Sequence, residues 1–238
     1  MEQRMSERDI TSALALFARD LTAHGDLDTK LREITRAALD LVPGADAADI
    51  VEIAGRKSTF TSHGPTSDLP PRLDALQIEF GEGPCLDAAT SVEVVRADDL
   101  TLEMRWPKYA PAAVEAGVRS SLSFQLFTHR DTFGALNLFA HEPSAFSDEA
   151  IAVGEALATH AAIALTSSRV EDQLHSALAS RDIIGQAKGM IMERFGVDAE
   201  HAFSLLTRLS QDSNTAISRL SAELVSKGSE SKSSGSTG

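Results

Sequence analysis

The chain has 238 residues, 42% of them hydrophobic, which is enough apolar material for the core of one large domain or two modest domains. It contains no run of 18 apolar residues and no basic segment leading into an apolar stretch, so we expect neither secretion nor membrane spanning. Its one cysteine, Cys85, excludes an internal disulfide and is typical of a reducing compartment, so we expect a cytoplasmic protein.

The net charge of −13 is unevenly distributed along the chain. Residues 1–175 carry the whole excess, whereas residues 176–228 contain equal numbers of basic and acidic side chains. An acidic surface repels nucleic acid, while a neutral segment can still present a local basic face. Any nucleic-acid contact is therefore expected in the C-terminal quarter, although charge alone does not establish one.

Residues 1–170 predict an α+β fold with one antiparallel sheet flanked by helices. Apolar residues recur at helical spacing through residues 6–41, with a break at His24–Asp26. Alternating patterns then indicate five strands, at 46–54, 57–63, 92–96, 118–129 and 132–142. Short helices are expected around 73–78, after the glycine-rich turn that begins at Phe80, and at 105–117. Turns at Gly55-Arg56 and Arg130-Asp131 would close the two hairpins.

The stretch from Ser147 to Phe195 contains no proline and predicts one long helix. Ser147 is a good N-cap, and the two acidic residues that follow it suit the positive end of the helix dipole. Apolar residues recur at helical spacing along the stretch. If continuous, the helix is about 70 Å long at roughly 1.5 Å per residue and would connect two domains. The alternative is two helices with a break near Ser167-Ser168.

Two further helices are predicted after Gly196, which ends the long helix. Asp198 can cap the first of them, and Ser213 or Asp212 can cap the second, which ends at Gly228. The apolar faces of these two helices are Ala202, Phe203, Leu206 and Leu209, and Ile217, Leu220 and Leu224. The three helices predict a small all-α domain.

The C-terminal segment from Ser176 to Lys227 resembles the ANTAR domain. The resemblance rests on the run SRDIIGQAKGMIMER at 180–194 and on the AF, LL, serine and asparagine residues that follow it in the family's order and spacing. In that family a three-helix unit binds paired hairpin loops in nascent transcripts and favours antitermination. The resemblance implies the same activity here.

The first region resembles GAF domains, in the version usually joined to ANTAR domains. Five segments carry this resemblance: VPGAD at 42–46, GEGPCLDA at 81–88, RWPKYA at 105–110, GVRSSLSFQLF at 117–127 and GALNLFA at 134–140. The two resemblances together imply a bacterial cytoplasmic regulator. Its GAF-like part would sense a small molecule or another signal, and the sequence specifies neither that signal nor a cofactor.

Lys188 lies in the most characteristic run of the ANTAR resemblance, which implies that it contacts RNA. Periodicity alone favours a lysine whose stem covers apolar surface. Ala187 and Gly189 would let a phosphate or base approach closely, with tight helix packing as the alternative. The remaining contacts implied are four arginines to phosphates, each with the alternative of a solvated surface charge, and two polar readers: Arg181, Arg194, Arg208 and Arg219, and Ser210 and Asn214.

Loop RNA is usually read by stacking as well as by charge, yet this segment has at most one aromatic residue outside its expected core. Charged contacts are therefore expected to dominate. The sequence also departs from the family after Asn214, where many members carry basic residues. Ala216 and Ser218 stand there instead and only Arg219 is basic, which predicts weaker RNA binding or a preference for a different loop.

Catalytic and metal-binding signals are missing from the sequence. The seven histidines do not pair with cysteine or carboxylates at ligand spacing, and no phosphate-loop, hydrolase or zinc-protease motif is present. We therefore expect neither an enzyme nor a metal site. Cys85 is expected to be a buried apolar residue, with a redox-active thiol at a helix N-terminus as the alternative.

The sequence thus predicts a sensor domain with its connecting helix at 1–170, an RNA-binding domain at 171–228 and a disordered tail at 229–238. The predicted function is a signal-responsive RNA-binding transcription antitermination regulator. The alternative is a sensing and dimerisation module that acts through a protein partner. A homodimer is expected, because the apolar arc of the long helix is wider than one sheet face requires. No membrane association is expected.

Overall fold

The computed structural model describes residues 26–54, 59–90, 93–127 and 132–233. The chain divides into two compact units between Ser168 and Arg169. The helix predicted before Asp26 and the two predicted hairpin turns, at Gly55-Arg56 and Arg130-Asp131, lie outside the described residues. Each unit is described separately below.

A five-stranded antiparallel sheet with the order β2-β1-β5-β4-β3 forms the centre of the first unit. Its strands are β1 Ala47–Ala54, β2 Thr59–His63, β3 Val94–Ala97, β4 Ser120–Phe127 and β5 Thr132–Ala140. The helices of this unit that precede β4 in the chain are α1 Leu27–Leu41, α2 Leu69–Phe80, α3 Pro84–Thr90 and α4 Tyr109–Glu115. The predicted α+β class and antiparallel sheet are confirmed.

Both faces of the sheet are buried, because apolar residues alternate between two cores along β1. Ile50 faces a core formed with α1 and the first part of the long helix α5 (Asp148–Phe195), whereas Val51 faces a core formed with α2, α3 and α4. Leu157 of α5 is fully buried in the first core and Tyr109 of α4 is fully buried in the second. The sheet is therefore the middle layer of a three-layer unit.

The long helix α5 is continuous from Asp148 to Phe195, as predicted, and the alternative of a break near Ser167-Ser168 is wrong. Its start is capped by Ser147, whose Oγ accepts a hydrogen bond from the Ala150 amide at 3.3 Å. Within the described residues it is the one helix whose length and composition would allow it to cross a membrane. The core helix of a soluble protein passes the same test.

The second unit consists of the C-terminal part of α5 together with α6 Ala199–Asp212 and α7 Ile217–Ser233. Its core is small, and its buried apolar members are Ala187, Ile191, Ala202 and Leu206. Phe203 and Leu209, which the sequence predicted to be buried, are each 48% exposed. The prediction was wrong because only Ala202 and Leu206 of α6 reach the core of so few residues.

The start and the end of α7 also differ from the prediction. Ser213 was predicted as an N-cap, but its Oγ donates to the Leu209 carbonyl at 2.7 Å and therefore caps the C-terminal end of α6. At its other end α7 continues past Gly228 as far as Ser233. A glycine inside a helix costs only about 1 kcal/mol, so it does not stop the helix. Residues 229–233 of the predicted tail are therefore helical.

Candidate functional site

The turn between α5 and α6 sets the geometry of the second unit. Gly196, with a φ of 63°, ends α5 in the left-handed conformation that glycine adopts at low cost. Asp198 then caps α6, because its Oδ1 accepts hydrogen bonds from the amides of Glu200 at 3.1 Å and His201 at 2.8 Å. These contacts turn the chain so that α6 packs against α5.

A groove of about 570 Å³ lies between α5 and α6. It is lined by Ala177, Ser180, Arg181, Ile184, Gly185 and Lys188 of α5 and by Phe203 of α6. Arg181 and Lys188 are seven residues apart, so they lie on one face of α5, separated by about 10 Å along the helix axis. Neither has an acidic partner among the described residues, and both charges are free to bind an anion.

Small residues leave space beside these two cations. Gly185 lies one turn after Arg181, and Gly189 lies next to Lys188 in the chain. A Cβ atom at either glycine would meet nothing within 4 Å. The backbone of α5 is therefore open to close approach by a ligand at both positions. Lys188 itself is half-buried, so its stem covers apolar surface while it lines the groove.

The groove does not include the other basic residues that the resemblance implied. Arg194 and Arg208 are exposed, on the last turn of α5 and on α6. Arg219 is exposed on α7 and lies 3.8 Å from the carboxylate of Glu223, which neutralises part of its charge. The structure therefore brings together Arg181 and Lys188 and leaves the other three arginines outside this site.

Three of the smaller residues implied as RNA contacts have structural roles. The side chain of Ala187 is fully buried in the core, which favours the packing alternative over contact with a ligand. The Ser210 Oγ donates a hydrogen bond to the Thr215 carbonyl at 2.6 Å. Asn214 is exposed in the turn between α6 and α7, where its φ of 48° is a conformation that asparagine tolerates well.

Phe203 is the groove residue that sequence reasoning missed, because its helical spacing suggested a core position. Phe195, likewise expected in the core, is 65% exposed. The expectation of at most one aromatic outside the core was therefore wrong, since two are accessible in the second unit. The pattern carried a signal that could have identified Phe203: it directly follows Ala202, so it lies 100° around the helix from a buried position, at the edge of the apolar face.

The first unit contains a buried polar cluster on the side of the sheet covered by α2, α3 and α4. Asp49 of β1 is fully buried and accepts hydrogen bonds from Ser62 Oγ at 2.8 Å and from Asn137 Nδ2 at 3.1 Å. Burial raises the pKa of Asp49 despite these bonds. Burial and the adjacent charge of Asp49 raise the pKa of Asp74 to about 10. The Asp74 carboxyl is therefore protonated at neutral pH and can donate to Asp49.

Cys85 lies beside this cluster with only 1% of its surface exposed. Burial raises the pKa of its thiol well above the usual range, and the neighbouring carboxyl groups of Asp74 and Asp49 act in the same direction. A sensor thiol needs access and a lowered pKa, and Cys85 has neither. Near it, Gln77 Nε2 and Tyr109 Oη are buried without a hydrogen-bond partner among the described residues. Across the described residues, no three His, Cys, Asp or Glu side chains come together in a group that could hold a metal ion.

A second groove, of about 640 Å³, lies on the opposite side of the sheet. Its floor includes Phe124 of β4 and Ala158 and Ala162 of α5, and Glu93 and Glu155 lie among its lining residues. The acidic residues at this groove make it unsuitable for an RNA phosphate. The basic groove between α5 and α6 is the better candidate for an anionic ligand.

Comparison with known families matches both units. Residues 24–166, more than half of the chain, match the GAF domain family, and residues 172–225 match the ANTAR domain family. The Arg181–Lys188 groove lies within the ANTAR match. No curated protein matches the chain.

Solved structures resemble the chain at low sequence identity. They include the GAF domain of a phosphoenolpyruvate-protein phosphotransferase from Coxiella burnetii (18% identity, TM-score 0.54, covering 71% of this chain and 99% of that one). Free methionine-R-sulfoxide reductase from Neisseria meningitidis has 15% identity and a TM-score of 0.52, covering 72% and 98%. Escherichia coli SdiA has 13% identity and a TM-score of 0.56, covering 92% and 98%.

Likeness at this level of identity establishes the fold of the first unit and nothing about its ligand. The two family matches identify the modules: GAF is a sensor domain, and ANTAR is an RNA-binding module of antitermination regulators. Both are regulatory rather than catalytic. The chain therefore belongs to the GAF domain family and has the GAF–ANTAR architecture, a sensor domain followed by an RNA-binding domain.

Proposed function

We propose that this protein is a signal-responsive antitermination regulator that binds paired hairpin loops in nascent mRNA. The observation that carries the proposal is the groove within the ANTAR match, where Arg181 and Lys188 present two positive charges, without an acidic partner among the described residues, beside exposed glycine backbone. A charge-assisted bond from such a group to phosphate is stronger than a neutral one. Phosphate contacts supply most of the affinity of a nucleic-acid-binding surface.

The charge distribution supports this division of labour between the units. The net charge of −13 resides before residue 176, so the first unit repels RNA while the second unit can bind it. Only a few phosphate contacts are available, because Arg219 is paired with Glu223 and Ala216 and Ser218 carry no charge. Affinity therefore depends on two hairpins being engaged together.

Two engaged hairpins require two ANTAR domains, so we propose that the protein acts as a homodimer in the cytoplasm. Val170, Leu174 and Leu178 of α5 are between 50% and 59% exposed. They recur at spacings of four residues, so they form one apolar stripe on the helix. A parallel pair of these stripes would bury them and hold two RNA-binding domains in one assembly.

The proposal is tested with the full chain and a pool of RNAs that carry two hairpins with six randomised nucleotides in each loop. We expect the chain to enrich specific loops from this pool, and to bind the enriched RNA at least about tenfold more tightly than an RNA with one hairpin deleted. A duplex made of the stems alone is the control. Failure to enrich any loop, or equal binding of the stem duplex, would contradict the proposal.

The alternative is a sensing and dimerisation module whose output is a protein partner. The exposed apolar side chains of Phe195, Leu205 and Leu209 favour it, since such groups are common at protein interfaces. That function predicts no loop enrichment. It also predicts that loss of the Lys188 charge leaves the output unchanged, whereas the RNA-binding function predicts the opposite.

A further inference from the structure

The aromatic ring of Phe203 lies exposed in the groove that contains Arg181 and Lys188. Among the described residues it is the one aromatic side chain that lines this groove, and 48% of its surface is accessible. A half-exposed phenylalanine is unremarkable by itself. Its position in a concave site beside Arg181 and Lys188 is not explained by packing, because the core of the unit is completed by Ala202 and Leu206 of the same helix.

The groove has open space on its α5 side. A Cβ added at Gly185, on the α5 side of the groove, would meet nothing within 4 Å apart from its own chain neighbours and the backbone of its own helix. The groove volume of about 570 Å³ falls within the usual range for small-ligand pockets, which is about 300–1,000 Å³. Because Gly185 has no side chain, a flat group can enter the groove beside Phe203 without displacing one there.

We propose that this groove is a subsite for one unpaired nucleobase of the loop RNA. The face of the base stacks on Phe203, and Arg181 and Lys188 bind the phosphates on either side of it. The inference rests on the proposed RNA-binding function and adds to it a stacking residue. Single-stranded and loop RNA is commonly held by this combination of an aromatic platform and flanking positive charge.

The chemistry of the ring defines what the subsite can select. Phenylalanine has no hydrogen-bonding group, so stacking on it contributes affinity for any unstacked base rather than for a particular one. Ser180, which lines the same groove, has a neutral hydroxyl that can hydrogen-bond to a base edge. The subsite therefore selects a base that is free to leave its stack, which distinguishes a loop from a duplex stem.

The test uses the full chain, the two-hairpin RNA enriched from the randomised pool, and three substitutions at one position. Phe203→Leu keeps an apolar side chain but removes the π face, and it should weaken RNA binding by roughly 5- to 100-fold. Phe203→Tyr and Phe203→Trp keep the face and should bind within about threefold of the wild type. Phe195→Leu is the matched control, since Phe195 is exposed but does not line the groove; its affinity should be unchanged.

Abasic nucleotides placed singly around the loop provide the second arm. One abasic position should weaken binding to the wild type and leave binding to the Phe203→Leu protein almost unchanged, because both changes remove the same contact. In the Phe203→Trp protein, the new indole should lose fluorescence as RNA binds, with the same apparent Kd. Trp106 is only 2% exposed, so the wild type gives the background signal.

Several results would overturn the inference while leaving the proposed function intact. Equal RNA affinity of wild type and Phe203→Leu would do so, as would an equal loss with all three substitutions, since stacking requires only a ring. A shift of the Phe203→Leu protein from dimer to monomer in sedimentation would show instead that a second copy covers the ring. Failure of the wild type to enrich any RNA would contradict the proposed function itself.

Discussion

Ser210 and Thr215 bracket the turn between α6 and α7 with two opposed hydrogen bonds. The Ser210 Oγ donates to the Thr215 carbonyl at 2.6 Å, and the Thr215 amide donates to the Ser210 carbonyl at 3.0 Å. The pair encloses Asn214, whose φ of 48° reverses the chain. The serine that the family resemblance implied as a reader of RNA therefore holds α7 in place.

Loss of the Ser210 hydroxyl should destabilise the second unit without changing its contact with RNA. Ser210→Ala removes one half-buried hydrogen bond, which is worth about 0.5–1.5 kcal/mol. We expect a lower Tm, and an RNA affinity within twofold of wild type at a temperature where both proteins are folded. Ser204→Ala, at an exposed serine of the same helix, is the control and should not lower the Tm. A weaker affinity with an unchanged Tm would restore Ser210 as an RNA contact.

Much of the fold could be predicted because its elements have strong local patterns. The hairpin of β4 and β5 alternates cleanly, and the 48-residue helix α5 contains no proline. The turn at Asn214 was harder to predict, because serine and asparagine are common at both helix starts and helix ends. Which end Ser213 caps depends on the register of α6 against the core, and a local pattern does not contain that register.

Lys188→Ala should weaken RNA binding while the second unit stays folded. Loss of a charge-assisted contact to phosphate is worth roughly 1.5–3 kcal/mol, or about 10- to 150-fold in affinity. The magnitude of the slope of log K against log salt should fall by about one, because one phosphate contact is lost. Arg219→Ala is the matched control, because its charge is partly neutralised by Glu223 and lies outside the groove. Comparable losses for both variants would indicate a diffuse basic surface in place of a defined site.

Two glycines of α5 should respond in opposite ways to alanine. A Cβ at Gly154 would overlap the ring of Phe124 on β4, so Gly154→Ala should destabilise the first unit by about 1–3 kcal/mol. Gly185→Ala meets only open space and should stabilise its helix by up to about 1 kcal/mol. Denaturant unfolding, followed by the fluorescence of Trp106 in the core of the first unit, measures the destabilisation by Gly154→Ala. An unchanged midpoint for Gly154→Ala would show that β4 can shift away from α5.

The stability of the first unit should fall as pH rises, because Asp74 is protonated in the folded protein. Its folded pKa is about 10, and an aspartate in the unfolded chain has a pKa of about 3.9. The unfolded state therefore binds fewer protons between these values, and the stabilising contribution is complete below about pH 4 and lost towards pH 10. The slope can approach about 1.4 kcal/mol per pH unit for one proton.

Asp74→Asn provides the test of this pH dependence, since the amide, like the protonated acid, is uncharged and can donate to Asp49. The variant should unfold at a higher denaturant concentration than wild type at pH 9, with a much smaller difference at pH 5. Glu79→Gln, at an exposed carboxylate of the same helix, should leave the slope unchanged. Parallel pH profiles for wild type and Asp74→Asn would mean that Asp74 is ionised in the folded state.

The residues of the buried polar cluster and of the groove between α5 and α6 were the hardest to derive from the sequence. Asp49 lies in an alternating strand whose pattern suggests one solvent-facing side, yet both faces of the sheet are covered. Its neighbour Asn137 is 88 residues away in the chain. Phe203 has the spacing of a core residue, and its exposure depends on how few residues complete the core. Both features follow from tertiary packing, which local periodicity does not specify.

Leu174 should be required for dimer formation. It is 59% exposed, and it lies in the middle of the apolar stripe that begins at Val170 and ends at Leu178. Leu174→Glu would place a charge in the paired surface, where desolvation is costly. The variant should sediment as a 25.4 kDa monomer at tens of micromolar, and its preference for two hairpins over one should disappear. Ala179→Glu, about 140° around the helix from Leu174, should remain a dimer. Sedimentation of the wild type as a monomer at the same concentration would contradict the proposed homodimer.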